Sequence, residues 1–351
     1  MNFLTEDKFG LADDFITGSP RATPFHTTAW LRLTRDAFGF RPLYLLRGRE
    51  PGPPECVLPL FEVDTLWGKK IVSLPLRDKG GAIYTGTGAL EAAIDDIIDF
   101  SSTKKYAYIH IKTDNPEEAS LLERKSFVNK GQWPTSIIRL EKDFASTRKN
   151  FTDKRINWSI NKAVRNRLVF EEGTTLADVG DFYRIFLLNR KRLGVPAYPR
   201  KFFEKIHELF MTRGAVKLFF VRRHDVRLTA IMIFLLNKKA YDVYSASLDE
   251  AFEFRANDFQ MFSVIQWLCD NGFGEYDLGA DSPYQKTLID YKRKWGSETK
   301  DLYFFYYFIR SKDITIQDSD HPRYRLLRSI WKNMPDTVFE KIGSKLIKYM
   351  A

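Results

Sequence analysis

The chain has 351 residues, 44% hydrophobic and 28% charged, with a formal net charge of +10 and a pI near 9.3. Length and composition suit about two globular domains with ample core. The acidic N-terminus MNFLTEDKFG has no apolar signal core, and the longest apolar run, Leu228 to Leu236, is far short of the ~20 residues of a membrane-spanning helix. Cys56 and Cys269 have neither metal nor redox spacing, which fits a reducing cytoplasmic compartment. The positive charge favours anionic partners such as nucleic acid, phosphates or acidic headgroups, or serves solubility alone.

In chain order, a helix is expected over Thr28–Gly39, then a hairpin-like pair in PLYLLRG and CVLPLFEV, and a further strand in IVSLP. ALEAAIDDIIDF predicts a helix, YAYIHI a strand, PEEASLLERKSF a helix and SIIRLE a strand. Glu141 to Asn150 is taken as a linker. KRINWSINKAVRNR, Lys154 to Arg167, reads as a basic helix with an apolar stripe of Ile156, Ile160 and Val164; its positive face is either an anion site or merely solvated.

The second half then reads strand, helix, helix, three strands, helix, strand, helix, strand. The strand is RLVFEE. The first helix carries Val179, Phe182, Phe186 and Leu193 at helical spacing and stops at Gly194; the second carries Phe203, Ile206 and Phe210 and stops at Gly214. Turns at His224-Asp225 and Asn237-Lys238-Lys239 make the three strands an antiparallel meander. The helix from Ala256 is apolar nearly all round and expected buried; EYDLG, TLIDYKRKWG and DLYFFYYFI close the order. The same element order occurs in the first half, so two copies of one α/β unit are expected. In the tail, DITIQDSDHP reads as linker, followed by two short helices split at Pro335. Phe339, Ile342, Leu346 and Met350 share a face of the second; the helix either packs on the protein or lies at a membrane surface.

Several side chains are candidates for chemistry. Asp277 and Asp281 flank a strand end, where α/β sheets tend to place ligands, and either could hydrogen-bond or deprotonate an amine; as loop residues they could equally cap turns. Arg190 and Arg192 suit phosphate binding or complement a helix C-terminus. Tyr241 and Tyr244 face a cleft or pack, and Tyr284 is a candidate general acid late in a reaction. His26, His110, His207, His224 and His321 show no metal-ligand spacing, and neither a G-x-S-x-G elbow nor a Walker phosphate loop occurs.

Four segments resemble the FemA/FemB-like branch of the GNAT acyltransferases, in which two such units are fused. They are TPFHTTAWLRLTRDAFG (Thr23–Gly39), CVLPLFEVDTLWGKKIVSLPLRDKGGAIY (Cys56–Tyr84), NRKRLGVPAYPRKFFEKI (Asn189–Ile206) and YDLGADSPYQKTLIDYKRKWG, ending at Gly296. The resemblance implies an α/β (α+β) fold of tandem GNAT-like domains with mixed, largely antiparallel sheets. The domains would be 1–145 and 146–312, the second catalytic, with a helical tail over 313–351. It implies transfer of an acyl or aminoacyl group to an amine, since Fem enzymes take amino acids from aminoacyl-tRNA and attach them to cell-wall precursors. Related proteins are associated with exopolysaccharide and envelope loci.

No tightly bound cofactor is implied; acyl-CoA or aminoacyl-tRNA would be the co-substrate, and an amine-bearing envelope precursor the acceptor. Lys292 matches the lysine of the [FY]-K-x-x-[FW]-G pattern and would hold a phosphate or an oxyanion; its alternative is a wet helix face. Lys292, Asp281 and Tyr284 are thus the catalytic candidates, and Asp277, Arg190, Arg192, Tyr244, Arg255 and Trp30 the binding ones. One departure stands out. Where acyl-CoA-using GNAT proteins carry [QR]-x-x-G-x-[GA], this chain reads EFRANDFQMF, with Arg255 but without the glycines. That leaves aminoacyl-tRNA or another carrier open as donor, and leaves a non-catalytic protein gripping RNA or anionic glycan as the alternative.

Overall fold

The computed structural model describes residues 3–48, 52–65, 68–311 and 329–350. They form two compact units. Residues up to Pro134 join with 301–311 and 348–350 in the first; residues 135–300 join with 329–347 in the second. Both are α/β units of the tandem kind expected. Among the described residues no helix is long and apolar enough to cross a membrane.

The first unit has β1 (Arg41–Pro42), β2 (Leu45–Gly48), β3 (Pro54–Leu58), β4 (Leu60–Thr65), β5 (Gly68–Ser73), β6 (Ile83–Tyr84) and β7 (Tyr106–Thr113). CVLPLFEV is two strands rather than one. Pro59 has no N–H to give a ladder, and the chain changes sheet there: β3 pairs with β2 and β6, while β4 pairs with β1 and β5. β5 and β7 run parallel. The helices Thr87–Ser102 and Pro116–Arg124 supply Leu90, Ile94, Ile97, Leu121 and Leu122 to a core shared with Ile109 and Ile111 of β7.

The strand Glu298–Phe308, expected to close the second unit, instead pairs antiparallel with β7, Tyr303↔Thr113 to Phe308↔Tyr108. Its Phe305 enters the first unit's core, with Tyr303 and Tyr307 packed beside it. Aromatic residues on both faces of this strand let it serve inside a sheet covered on both sides, and nothing in such a strand states which sheet it joins.

In the second unit, β8 (Val128–Arg139) enters at Thr135 and the order is β8-β13-β12-β11-β10-β9. Here β9 is Leu168–Gly173, β10 Val216–Arg223, β11 Val226–Leu236, β12 Lys239–Ser247 and β13 Glu275–Ala280. β10, β11 and β12 form the expected meander, turned at His224 and at Asn237-Lys238, all with positive φ. The helix Ala256–Asp270 buries Met261, Val264, Ile265 and Leu268 against Ile231, Ile233 and Tyr276.

Residues 141–150 are not a free linker. Asp143 caps the short helix Phe144–Arg148, and buried Thr147 lies 3.3 Å from Cys269 Sγ. The basic helix is Arg155–Arg165; it buries Ile156, Ser159 and Ala163, and Val164 of the expected stripe is exposed. Leu193 is likewise exposed in the helix Leu176–Leu193, capped by left-handed Gly194.

The tail linker 313–322 and the start of the helix after it lie outside the described residues. The last helix, Asp336–Leu346, packs on the second unit through Phe339, edge-on to Trp331 at 5.3 Å, and through Gly343, where a Cβ would come 2.8 Å from Ala197 N. Val338, Ile342 and Leu346 stay about 40% exposed on its flank.

Gly296 (φ +75°) ends the segment after β13, and a Cβ there would lie 2.4 Å from the Asn150 carbonyl oxygen. Gly296→Ala is expected to destabilise the protein by about 2–4 kcal/mol, measured by denaturant unfolding; an unchanged midpoint would show that the backbone there yields freely.

Candidate active site

The candidate site of the second unit begins where two parallel strands part. β12 and β13 pair only at Lys239↔Glu275, Ala240↔Tyr276 and Tyr241↔Asp277. On β12 the register with β11 slips between Asp242 and Tyr244, so Val243 is an extra residue and the strand bends. On β13 the register with β8 shifts between Asp277 and Ala280. Gly279 there is left-handed (φ +77°), and the Asp277 carboxylate accepts its N–H at 2.8 Å. Both strands therefore change course at the same level, and their facing edges diverge toward their C-terminal ends.

Four side chains occupy that divergence. Lys292, on the helix Lys286–Arg293, is buried. Its ammonium donates to the Leu278 carbonyl at 2.6 Å and to the Gly279 carbonyl at 3.2 Å, and it forms an ion pair with Asp281 Oδ2 at 2.7 Å. Asp281 is 5% exposed. Beside them, Tyr276 donates from its hydroxyl to Asp242 Oδ2 at 3.3 Å. Burial pushes the Asp242 carboxyl up to about 6; the Lys292 charge draws it down, while the carboxylates of Asp281 and Asp277 push it further up. A carboxyl poised there takes and returns protons near neutral pH.

Asp242 and Tyr276 are absent from the sequence-level candidates. The signal for Asp242 was an acidic residue in the middle of the strand AYDVYSAS, flanked by tyrosines, where the alternation called attention to the tyrosines instead. The bulge that aims it is a tertiary feature.

The other candidates separate. Asp277 and Asp281 belong to the strand end, as expected. Tyr244 turns to the opposite side, packed among Phe186, Tyr198, Phe202 and Phe203. Arg190 donates to the Pro196 carbonyl at 2.9 Å, and burial lowers its pKa. Arg192 holds Asp249 at 2.7 Å and Asn189 at 2.6 Å. Both arginines thus shape the end of their own helix, the structural alternative to phosphate binding. Tyr284 is 67% exposed on the loop before Lys286. Trp30 is a core residue of the first unit, 1% exposed and edge-on to Phe25 at 4.8 Å.

A second feature adjoins the cluster through the same helix. Tyr291 and Lys294, which bracket Lys292 and Arg293, line a pocket of about 300 Å³ with Arg155, Trp158, Arg255 and Asp258. Tyr291 hydrogen-bonds the Asn257 carbonyl at 3.2 Å, and Lys294 pairs with Asp258 at 2.5 Å. Arg255, at the position where the acyl-CoA pattern has its loop, is itself left-handed (φ 62°, ψ 31°).

In the first unit the corresponding parallel pair is filled by its own chain. Past Ser73 the loop returns: Ser73 Oγ accepts the Lys112 N–H at 3.0 Å, and the Gly80 N–H donates to the Lys112 carbonyl at 3.0 Å. The buried Lys112 ammonium donates to the carbonyls of Leu74, at 2.9 Å, and Arg77. Glu118 receives the Ala82 N–H at 3.0 Å and the Thr113 hydroxyl at 2.7 Å. Burial drops the His26 imidazole to about 4, so it is neutral: Nδ1 accepts from the Thr23 N–H and Nε2 donates to the Gly81 carbonyl at 2.9 Å. A Cβ on Gly81 would strike the Glu118 carboxylate.

Residues 146–293 match the Acetyltransferase (GNAT) domain family. Over its length the chain is similar to three solved structures. FemX is 16% identical, with 93% of this chain and 100% of that one covered, at a TM-score of 0.70. L-PGS from Bacillus licheniformis is 11% identical, covering 95% and 99%, at 0.57. A tandem GNAT protein from the clavulanic acid biosynthesis pathway is 11% identical, covering 88% and 97%, at 0.56. No curated protein matches the chain. At these identities the likeness is one of fold: the chain has the tandem, FemAB-like GNAT fold, with the divergent strands and the buried cluster in the unit that the GNAT family matches.

Removing Lys292 leaves Asp281 buried beside two other carboxyls. Lys292→Ala is expected to cost about 3–5 kcal/mol of stability, and Asp281→Asn added to it is expected to recover part of that loss. Thermal and urea unfolding of the single and double variants check this; a purely additive pair would mean the ion pair is not what holds the loop.

Proposed function

We propose that the second unit transfers an acyl or aminoacyl group from an activated thioester or ester to an amine. The observation that carries this is the half-buried Asp242, hydrogen-bonded by buried Tyr276, beside Asp281–Lys292 and set where β12 and β13 part. Diverging strand edges offer backbone N–H and C=O groups to an extended, amide-bearing arm of a donor. The Asp242 carboxylate then takes the proton of the acceptor's ammonium group. The free amine attacks the carbonyl, the C–N bond forms, the C–S or C–O bond breaks, and the proton passes to the leaving thiolate or alkoxide. Lys292 acts as a positioning residue: its charge fixes Asp281 and the loop carbonyls and sets the level at which Asp242 titrates.

Direct attack fits the cysteines. Burial raises the pKa of both Cys56 and Cys269, which keeps them as thiols and not as nucleophilic thiolates. The donor is acyl-CoA or aminoacyl-tRNA, and the acceptor an amine-bearing envelope or polysaccharide precursor, as the resemblance to the Fem enzymes implies. Work on such a precursor would bring the protein to the inner face of the membrane. The exposed Val338, Ile342 and Leu346, beside exposed Lys341 and Lys345, support peripheral contact with an anionic surface.

Asp242 must be ionised to accept a proton, so turnover should rise with pH through about 6. Asp242→Asn is expected to lower kcat at least 100-fold and remove that limb from the pH profile. Steady-state rates with acyl-CoA and charged-tRNA donors check it; a wild-type profile in the variant removes Asp242 from the chemistry. No turnover with any donor, together with RNA or glycan binding, would favour a non-catalytic role. For the tail, flotation with anionic liposomes should be lost in the Ile342→Ser, Leu346→Ser variant and kept with the native helix.

A further inference from the structure

Residues 195–199 lie between the tail helix and the aromatic packing behind β12, the strand that carries Asp242. On their outer side the tail helix Asp336–Leu346 meets them closely. Buried Phe339 packs with Trp331 and Ala197, and a Cβ on Gly343 would come 2.8 Å from Ala197 N. Lys191 holds Asp336 at 2.6 Å, and the Tyr183 hydroxyl lies 3.1 Å from both the Glu340 carboxylate and the Tyr198 carbonyl. On their inner side the Tyr198 ring stands edge-on to Tyr244 at 5.5 Å. Phe186 of the helix Leu176–Leu193, and Phe202 and Phe203 of the helix Arg200–Leu209, close round the same ring at 6.2, 5.7 and 5.2 Å.

Asp242 and Tyr244 are two residues apart, and in a regular strand they would share a face. They do not. Asp242 pairs with Ile233 and Tyr244 with the adjacent Met232, so Val243 is extra and the two side chains leave the sheet on opposite sides. Asp242 meets Tyr276 on the side of the helix Ala256–Asp270, where Ile233 also packs. Tyr244, 4% exposed, is drawn to the side of Phe186 and Phe203. A one-residue slip would return both side chains to one face, and burial of the Tyr244 ring among its aromatic neighbours opposes that slip.

We propose that the tail helix, acting through Tyr198 and Tyr244, is the backing that positions Asp242. Phe339 and Gly343 press residues 195–199 inward, Tyr198 completes the aromatic packing, and Tyr244 holds the bulge. All are positioning residues, since they act through Asp242. The proposal rests on the transfer function above only in taking Asp242 as the proton acceptor. The groups that face Asp242 are Tyr276 and Asp277 of β13, Asp281 of the loop after it, and Lys292 and Tyr291 of the helix Lys286–Arg293. Burial is the largest cause of the raised Asp242 level, ahead of the Lys292 charge and the Tyr276 hydrogen bond, which lower it. A relaxed bulge admits water to the carboxyl, so its titration falls toward the ordinary carboxylate range.

The test reads that titration by carbon-13 NMR of the full chain labelled at its aspartate carboxyls, with the Asp242 signal identified by its loss in Asp242→Asn. Wild type should titrate at about 6. Tyr244→Leu and Phe339→Ala are each expected to weaken proton binding at Asp242 roughly 3- to 30-fold. Tyr244→Phe keeps the ring and should keep the wild-type midpoint. The Tyr244→Leu, Phe339→Ala double variant should shift no further than the larger single change, because both act on one path. Cooperative melting shows which variants fold. Where either single variant does not, Gly343→Ala takes its place: it keeps the apolar contacts of the tail, crowds Ala197 and should move the midpoint the same way. Unmoved midpoints in the folded variants mean that the tail only seals the packing, and they overturn the proposal. So do additive shifts, or a wild-type midpoint in the ordinary carboxylate range. The transfer function fails separately, in a wild-type pH profile of Asp242→Asn turnover.

Discussion

Much of the second unit's candidate site hangs on one buried ammonium. Lys292 donates to the carbonyls of Leu278 and Gly279 and forms an ion pair with the Asp281 carboxylate. Those two carbonyls lie at the turn that β13 makes at left-handed Gly279. A buried charge pair is a weak source of net stability, because desolvation cancels most of the Coulomb gain. Its value here is geometric: it fixes the end of a strand, a loop and a helix to one point.

The electrostatics follow from that point. Asp242, Asp277 and Asp281 lie within influence of one another, and a single lysine sits among them. Three carboxylates and one ammonium cannot all be comfortably ionised in a poorly hydrated site, so one carboxyl is pushed toward neutral pH. Asp242, hydrogen-bonded by Tyr276 and without an ion pair among the described residues, is the one displaced.

The two units show how one topology takes opposite uses. Each has a parallel strand pair whose ends could part. In the first unit the loop after Ser73 fills the space, held by Lys112, Glu118 and His26 through backbone partners. In the second unit the corresponding place is lined by side chains that titrate. In the first unit those buried polar groups bond to the unit's own backbone.

The periodicities alone were enough for most elements: the meander β10–β12, the helices ended by Gly194 and Gly214, and the strand–loop–helix from Glu275 to Gly296 are local patterns with local signals. The motif around Lys292 also brought Asp281 and Lys292 together, because the Asp277–Gly279 turn and the basic helix are contiguous in the chain. Three things needed the folded molecule. The strand Glu298–Phe308 joined the first unit, since aromatic alternation fits any sheet covered on both sides. Arg190, Arg192 and Tyr244 became packing groups, because side-chain direction depends on the neighbours that a helix end or strand face meets. Asp242 became the central carboxyl only through the bulge at Val243 and the nearness of Lys292, fifty residues on. A sequence fixes which residues can carry charge; how far that charge is displaced is decided by burial and by neighbours that only tertiary contacts bring together.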